Sequence, residues 1–317
     1  MRALKIGVVM DPIQNIDINK DTTFVIMLEA QRRGHELYYM EIQDLFIGDA
    51  QPGGTSRPVR VARGRPHFEL GSLESRALAW FDVILMRKDP PFDLEFFFAT
   101  HLLSLIDPKQ CAVINDPHGL REATEKLYAL NFPAIIPASI VTSSIGRLKD
   151  FLDEHGGEMI LKPLEGAGGR GVVYLNRKDR NLNALLELVT MEGKVAVMGQ
   201  RYLPEIRVGD KRVLVLNGEP IGALLRVPRE DDNRANIHAG GNSTPGEITA
   251  RDREICALLA EPFRKLGLYF VGLDIIGGLV TEVNVTSPTC VQEINAFDKV
   301  QLEAKIVDFI EQKAPKS

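Results

Sequence analysis

The stretch Gly272–Val285, which reads GLDIIGGLVTEVNV, is the most informative part of the chain. Both halves are rich in Val, Ile and Leu and are typical of strands, and Gly277-Gly278 between them suits a two-residue hairpin turn. Side chains alternate across a strand, so Glu282 and Asn284 share a face, and Asp274 on the partner strand can lie close to them. These oxygen ligands suit Mg²⁺ or Mn²⁺, and a metal would offset the cost of burying the charges. The pattern predicts a metal-binding hairpin, with an amphipathic hairpin facing water as the alternative.

Length and composition bound the class of protein. A chain of 317 residues is too long for one small core and is expected to form two or three domains. The formal net charge of −5 argues against nucleic acid as a partner, because such binding needs a positive field. Cys111, Cys256 and Cys290 show neither a disulfide nor a zinc spacing, which indicates a reducing compartment. The N-terminus lacks the apolar run of a signal peptide, and no stretch approaches the ~18 apolar residues of a spanning helix. A cytoplasmic protein without membrane contact is expected.

The first part of the chain alternates strands and helices, a βαβ pattern that predicts a parallel sheet. Strands are predicted over 5–10, 36–41, 82–86 and 112–115, and helices over 22–33 and 119–130. Ligands bind beyond the carboxyl ends of strands in such sheets, where Asp11 and Arg87 are placed. Arg87 is therefore a candidate substrate contact, with a solvated loop charge as the alternative. The Gly-, Pro- and Arg-rich segment 48–71 is expected to be an exposed excursion, and the first domain is expected to end near residue 122.

Strands become more frequent after residue 135. They are predicted over 139–142, 159–162, 172–175, 195–200, 211–216 and 220–226, and helices over 144–154, 182–190, 251–266 and 298–312.

A glycine loop follows the strand that ends at Lys162. The segment 166–171, GAGGRG, fits G-x-G-x-x-G, but a strand follows it where the dinucleotide-binding fold needs a helix. Kinases place their lysine after such a loop, whereas Lys162 comes before it. What remains is a glycine hairpin whose N–H groups can approach phosphate oxygens, with Lys162 supplying charge and Lys126 as a second phosphate lysine. A surface turn and a solvated helix lysine are the alternatives.

These motifs resemble those of the ATP-grasp ligases and, within them, of the bacterial glutathione synthetase family. The resemblance extends over essentially the whole chain and includes MRKDPPF (86–92), ILKPL (160–164), GDKRVLV (209–215), VGLDII (271–276) and NVTSPTC (284–290). It implies an α/β domain (1–122) followed by two α+β lobes, 123–203 with the glycine loop and 204–317 with the metal hairpin. It also implies that ATP drives the joining of γ-L-glutamyl-L-cysteine and glycine into glutathione, and that the protein is a homo-oligomer.

The resemblance also implies roles for individual residues. Lys126, Lys162, Gly168 and Gly169 match the phosphate site, Gln200, Tyr202 and Leu203 match a hinge that meets adenine through its backbone, Asp210 matches a ribose-side residue, and Asp274, Glu282 and Asn284 match the metal ligands. Catalysis would be mostly positioning and charge neutralisation, by Lys162 and Arg212. An ordinary ion pair is the alternative for Arg212. Arg170 and Glu205 depart from the residues expected at their positions.

The polar segment 226–246 lacks periodicity and is longer than an ordinary connection. It is interpreted as a lid that shields an acyl phosphate from water, with a surface loop as the alternative. Arg226 and Arg234 suit substrate carboxylates. Asn236 and Ser287 complete the candidate substrate set, and His238 is interpreted as a loop residue rather than a base.

Three other activities remain open on the residues alone. They are another carboxylate–amine ligase of the same fold, such as a D-alanine–D-alanine or glutamate-adding enzyme, a non-catalytic nucleotide-binding regulator, and a phosphotransferase that stops at the phosphorylated carboxylate. The segments 86–92 and 284–290 favour the glutathione reaction. A regulator is expected to lack part of the lysine and metal sets, which this chain has.

Overall fold

Residues 2–166, 168–229 and 242–315 are described by a computed structural model, and within them the backbone forms three β-sheets. The first sheet contains β1 (Lys5–Val9), β2 (Glu36–Met40), β3 (Leu45–Gly48), β4 (Gln51–Val61), β5 (Phe68–Leu70), β6 (Glu74–Ala77), β7 (Val83–Met86) and β8 (Ala112–Ile114). Strands β2, β1, β7 and β8 are parallel neighbours, which confirms the predicted parallel sheet. Helices α1 (Thr22–Arg32), α2 (Leu94–Leu103) and α3 (Pro117–Glu122) belong to this part of the chain.

Two expectations for this region are wrong. Segment 48–71 is not an exposed excursion, because β4 pairs with β2, β3, β5 and β6 within the sheet. Its glycines allow close packing: a Cβ on Gly54 would lie 2.8 Å from the Leu78 side chain. The helix predicted over 119–130 ends at Glu122, and the chain then turns. The carbonyl oxygen of Glu125 accepts a hydrogen bond from Val283 N (2.9 Å) instead of continuing the helix.

The second sheet is antiparallel, in the order β11-β10-β12-β9. It contains β9 (Ser139–Thr142), β10 (Glu158–Pro163), β11 (Val173–Asn176) and β12 (Val197–Arg201), with helices α4 (Ile145–Glu154) and α5 (Leu182–Val189). Leu148, Leu152 and Leu186 pack beneath it in a small separate core. Strand β11 follows the glycine loop directly, as predicted.

The third sheet is antiparallel and has the order β15-β14-β13-β16-β17. It contains β13 (Asp210–Leu216), β14 (Glu219–Val227), β15 (Asn242–Pro245), β16 (Phe270–Ile276) and β17 (Leu279–Asn284). Helix α6 (Ala250–Lys265) lies between β15 and β16, and α7 (Val291–Asp298) and α8 (Leu302–Lys313) follow β17. The predicted hairpin is confirmed: Gly277 and Gly278 form the turn with φ of 57° and 77°, a left-handed conformation that favours glycine.

The end of the chain differs from the single predicted helix over 298–312. Two helices, α7 and α8, occupy this region, and left-handed residues Cys290 and Lys299 bound α7. No glycine or proline marks these breaks in 290–301, so the sequence carried no local stop signal. Helix α8 packs on α1 of the first sheet, where Arg33 donates to Asp308 (2.6 Å) and to the carbonyl oxygen of Ala304 (2.9 Å).

Asn115 links the first sheet to the third. Its Nδ2 donates to the carbonyl oxygens of Phe270 and Val285 (2.8 Å each), and its Oδ1 accepts from the N–H groups of Tyr269 (2.8 Å) and Phe270 (2.9 Å). Both N–H groups and both lone pairs of the amide are thus bonded to backbone groups at the ends of β16 and β17. This side chain therefore fixes the hairpin against the first sheet. Among the described residues, no helix has the length and apolar character that a membrane span needs.

Candidate active site

A cleft of about 790 Å³, open to solvent, lies between the second and third sheets. Its walls combine lysines, carboxylates, part of the glycine loop and apolar side chains: Lys126, Ile160, Lys162, Gly166, Gly169, Arg170, Val172, Gln200, Arg201, Tyr202, Leu203, Ile206, Asp210, Asp274, Ile276, Thr281 and Glu282. Most of the nucleotide and metal residues expected from the sequence therefore surround one space.

Lys126 contacts the glycine loop, and Lys162 lines the same cleft. Lys126 Nζ donates to the carbonyl oxygen of Gly166 (2.8 Å) and lies 3.7 Å from Glu282 Oε1. Burial lowers the pKa of Lys162, and the neighbouring carboxylates offset only part of that effect. Gly168 and Gly169 have φ of 68° and 76°, which a side chain would strain. This end of the cleft can receive a dense negative charge.

Part of the cleft lining is apolar. Ile160, Val172, Ile206 and Ile276 line it together with the predicted hinge residues Tyr202 and Leu203, in the chain that leaves β12. Such a slot suits a flat heteroaromatic ring, and the backbone of an irregular segment supplies polar groups at its edge. The Gln200 side chain has both ends of its amide bonded within the protein, to Lys162 (2.9 Å) and Ser139 (3.1 Å).

Strand register brings charged residues together on the third sheet. Arg212, Asp274 and Glu282 lie directly opposite one another on β13, β16 and β17, and Asp210 lies opposite Arg226 on β13 and β14. Directly opposite residues share a face, so these five side chains extend to the same side of the sheet.

Arginines neutralise both aspartates of this group. Arg212 donates to Asp274 from Nε (2.5 Å) and from its terminal nitrogen (3.0 Å), and Arg226 lies 2.5 Å from Asp210 Oδ2 and 2.9 Å from Asp274 Oδ1. Burial alone would raise the pKa of Asp274, but the two arginines hold it well below its usual range. Burial raises the pKa of Asp210 to about 6, although Arg226 opposes the shift. Among the described residues, Asp210 Oδ1 and Arg226 Nε have no hydrogen-bond partner.

Sequence reasoning missed Glu125. Burial raises its pKa to about 7, the charge of Glu282 adds to this, and the Thr286 hydroxyl donates to its Oε1 (3.1 Å). The only local signal was that Glu125 directly precedes Lys126. The helix predicted over 119–130 did not indicate that Glu125 would be buried beside the cleft. Glu125 and Glu282 concentrate negative charge beside the phosphate lysines.

The three predicted metal ligands have different surroundings. Asn284 Nδ2 donates to the carbonyl oxygen of Gly272 (3.2 Å), which leaves its amide oxygen for a cation, and Glu282 borders the cleft. Asp274 faces the arginines. In the described part of the chain, no three His, Cys, Asp or Glu side chains form a group able to hold a metal. The local excess of negative charge at Glu125 and Glu282, with the Asn284 oxygen, fits a divalent cation that also has phosphate ligands.

The predicted substrate residues do not form one group. Arg87 is buried, donates from Nε to Thr23 Oγ1 (3.0 Å) and from a terminal nitrogen to the carbonyl oxygen of Pro288 (3.0 Å), and is not among the cleft residues. Ser287 is half-buried in the same loop as Pro288. Arg226 is not part of a loop, because β14 continues through Val227. Arg234, Asn236 and His238 lie outside the described residues.

Comparisons with known proteins match nearly the whole chain. The family model "Prokaryotic glutathione synthetase, N-terminal domain" matches residues 4–121, and "Prokaryotic glutathione synthetase, ATP-grasp domain" matches residues 125–299. A relative named glutathione synthetase from Thermosynechococcus vestitus is 43% identical over 97% of this chain and 99% of its own length. Another, from Salmonella typhimurium, is 43% identical over 99% of this chain and 100% of its own length.

Solved structures with low sequence identity share the fold. The D-cycloserine synthetase DcsG aligns with a TM-score of 0.68 at 15% identity over 96% of this chain and 98% of its own. The ATP-grasp ligase PsnB with a minimal precursor, Mg and ADP aligns with a TM-score of 0.64 at 17% identity over 98% of each chain. Taken with the lysine pair, the glycine loop and the acidic hairpin around one cleft, these matches show that the chain belongs to the prokaryotic glutathione synthetase family of ATP-grasp ligases.

Proposed function

We propose that the cleft binds ATP and that the enzyme joins γ-L-glutamyl-L-cysteine to glycine, releasing glutathione, ADP and phosphate. The observation that carries this proposal is the convergence of Lys126, Lys162 and the glycine loop with Glu282 at the end of a cleft with an apolar wall. The relatives named glutathione synthetase, which match nearly the whole chain, supply the choice of substrates.

The reaction needs a phosphorylated intermediate, because a carboxylate oxygen is a poor leaving group. The cysteine carboxylate of the dipeptide attacks the γ-phosphorus of ATP, an acyl phosphate forms, and ADP leaves. The glycine amine then attacks the acyl carbon, loses a proton and expels phosphate as the amide bond forms. Both steps concentrate negative charge, so catalysis depends on positioning and electrostatic stabilisation.

The described residues divide this task by position. Lys126, Lys162 and the N–H groups of Gly168 and Gly169 would hold the phosphates, with Arg212 neutralising the transferred group. The backbone of Gln200, Tyr202 and Leu203 would bind adenine in the apolar slot, and Asp210, with one oxygen unpaired among the described residues, would accept a ribose hydroxyl.

A divalent cation, Mg²⁺ or Mn²⁺, fits the acidic side of the cleft. Glu282 and Asn284 would hold it, with Asp274 as the third ligand when Arg212 contacts phosphate and Arg226 contacts a substrate carboxylate. The cation would neutralise phosphate oxygens of ATP. Before the cation binds, Arg212 and Arg226 keep the Asp274 carboxylate ionised and in place.

The dipeptide and glycine would lie beyond the phosphate end of the cleft. Arg226, Arg234, Asn236 and Ser287 remain the proposed substrate contacts, with the two arginines suited to carboxylates. Arg87 is proposed to act indirectly, because it binds Pro288 O and thereby holds the Ser287 loop.

The three-domain division at residues 1–122, 123–203 and 204–317 is retained as a proposal. The two family-model ranges support the first boundary. Helix α8 crosses this division, since it packs on α1. Three buried free cysteines support a reducing, cytoplasmic location.

A homo-oligomer is also proposed. Helix α2 and the chain after it carry a second apolar stripe on the outside, where Leu94 is 69% exposed, Phe98 54% and Leu105 56%. Leu94 and Phe98 are about one turn apart on α2, Leu105 follows the end of this helix, and an exposed apolar surface of this kind suits packing against a second copy. Phe98→Glu should lower the mass measured by light scattering, whereas Leu188→Glu, on the exposed face of α5, should not. An unchanged mass for Phe98→Glu would reject this surface.

An ADP-release assay tests the proposed reaction. ADP should form rapidly from ATP only when γ-glutamylcysteine and glycine are both present, and mass spectrometry should detect glutathione. Rapid ADP release without glycine would indicate a phosphotransferase instead. Turnover with D-alanine, or with glutamate as the added amine, but not with glycine would indicate a different ligase of the same fold.

A further inference from the structure

We propose that Ser139 and Gln200 form a relay that positions the ammonium group of Lys162 at the phosphate end of the cleft. The relay rests on the nucleotide-binding role proposed above for Lys162. It gives the Gln200 side chain a task other than contact with the base.

Strand register places the three residues within reach. Gln200 on β12 lies directly between Ile160 on β10 and Ser139 on β9. Lys162 is two residues beyond Ile160, so it lies on the same face and diagonal to Gln200. Long side chains span a diagonal of this kind in an antiparallel sheet.

The hydrogen bonds of the relay have one consistent direction. A carbonyl oxygen can only accept, so the Ser139 hydroxyl donates to Pro137 O (2.8 Å) and offers a lone pair to Gln200 Nε2 (3.1 Å). With its NH₂ group held there, the amide must turn Oε1 toward Lys162 Nζ (2.9 Å), which can only donate. Ser139 thus adds to the preference of Lys162 for this orientation and stabilises the amide with Oε1 toward the ammonium group.

Among the described residues, the Gln200 amide oxygen is the closest hydrogen-bond partner of Lys162, so the position of the ammonium group depends on this orientation. A second contact, from Nζ to the carbonyl oxygen of Thr281, is long at 3.5 Å. The negative charge of Glu282 also attracts the Lys162 ammonium group, and so competes with the nucleotide. A reversed amide would place its NH₂ group against the ammonium group and favour that displacement.

Nucleotide affinity measures the relay directly. Ser139→Ala should weaken calorimetric binding of a non-hydrolysable ATP analogue with Mg²⁺ by about fivefold, the factor that one net hydrogen bond provides. Ser139→Thr keeps the hydroxyl on a residue suited to strands and should bind within about twofold of wild type. Ser143→Ala, just beyond the end of β9, is the matched control. At saturating ATP the kcat of Ser139→Ala should stay within about twofold while KM for ATP rises.

A double-mutant cycle separates the relay from loss of packing. Gln200→Leu should weaken binding by more than Ser139→Ala, and Ser139→Ala should add nothing in the Gln200→Leu background, because Ser139 acts only through Gln200. Losses that multiply would overturn the relay. Thermal unfolding checks that every variant remains folded.

Purine riboside 5′-triphosphate, which lacks the adenine amino group, distinguishes the relay from base recognition. Ser139→Ala and Gln200→Leu should each weaken the binding of this analogue and of ATP by equal factors. A loss confined to ATP would show that Gln200 reads the base, and the relay would be wrong. None of these binding measurements requires the peptide substrates. A wild type that binds nucleotide but makes no glutathione therefore rejects the proposed reaction alone, whereas an active wild type with unaltered binding by Ser139→Ala rejects the relay alone.

Discussion

Arg226 offers a sharp test of the charge network on the third sheet. Its side chain is 4% exposed and joins Asp210 (2.5 Å) to Asp274 (2.9 Å). Asp274 would still have Arg212 if Arg226 were removed, whereas Asp210 would lose the cation in contact with it. Removing one partner of a buried ion pair leaves an uncompensated charge. We therefore expect Arg226→Met to lower the free energy of unfolding by about 3–5 kcal/mol at neutral pH.

The loss should depend on pH in a defined direction. The folded pKa of Asp210 is already raised to about 6 in the wild type, and without Arg226 it should rise further. A carboxyl group with a raised folded pKa takes up protons on folding, so its contribution to stability falls as pH increases up to that pKa. The gap between Arg226→Met and wild type should therefore widen from pH 6 toward pH 8, by at most about 1.4 kcal/mol per pH unit.

Urea unfolding followed by circular dichroism, with a chelator present, measures both effects. In an Asp210→Asn background the same Arg226→Met substitution should cost much less and show little pH dependence, because no carboxylate is left uncompensated. An equal, pH-independent loss in both backgrounds would refute the reasoning and indicate a packing role for Arg226.

Three further outcomes are expected. Glu282→Gln is nearly isosteric and should retain the fold, yet lower turnover at least about a hundredfold, since it removes a charge from the proposed cation site; near-wild-type turnover would reject that site. Glu29 has its pKa lowered to about 2, chiefly by hydrogen bonding with Arg32, so it stabilises the fold above its unfolded pKa and this contribution is lost as pH falls from about 4.5 toward 2. Acid titration of unfolding should show this drop in wild type but not in Glu29→Gln, and identical curves would contradict it. Asn115→Ala removes four hydrogen bonds to buried backbone and should lower the unfolding free energy by about 3 kcal/mol or more in chemical denaturation, whereas a loss below about 1 kcal/mol would show that water replaces the amide.

Local sequence was sufficient for the elements that carry their own signals. The hairpin over 270–284 was predictable because Gly277 and Gly278 select the turn and the flanking residues favour strands. The parallel sheet followed from βαβ alternation, and the glycine loop between two strands followed from the residues on either side of it. The prediction failed where no glycine or proline marks the end of an element. Helix α7 is an example, because Cys290 and Lys299 at its ends adopt left-handed conformations without glycine.

Most of the predicted nucleotide residues line one cleft, but the contacts that they make with one another were not predictable from the sequence. Sequence assigned Asp274 to a metal, yet strand register places Arg212 directly opposite it and brings Arg226 within contact. In the second sheet, strand pairing makes the Gln200 side chain the hydrogen-bond partner of Lys162, a contact that the hinge assignment did not include.

Residues that are far apart in sequence explain what remained hidden. The raised pKa of Glu125 depends on its burial and on the charge of Glu282, and α8 is held by Arg33 at the end of α1. Period and composition report which face of one element is apolar or charged. They do not report which other element meets that face, because strand register and long-range packing are settled only when the sheets and helices assemble.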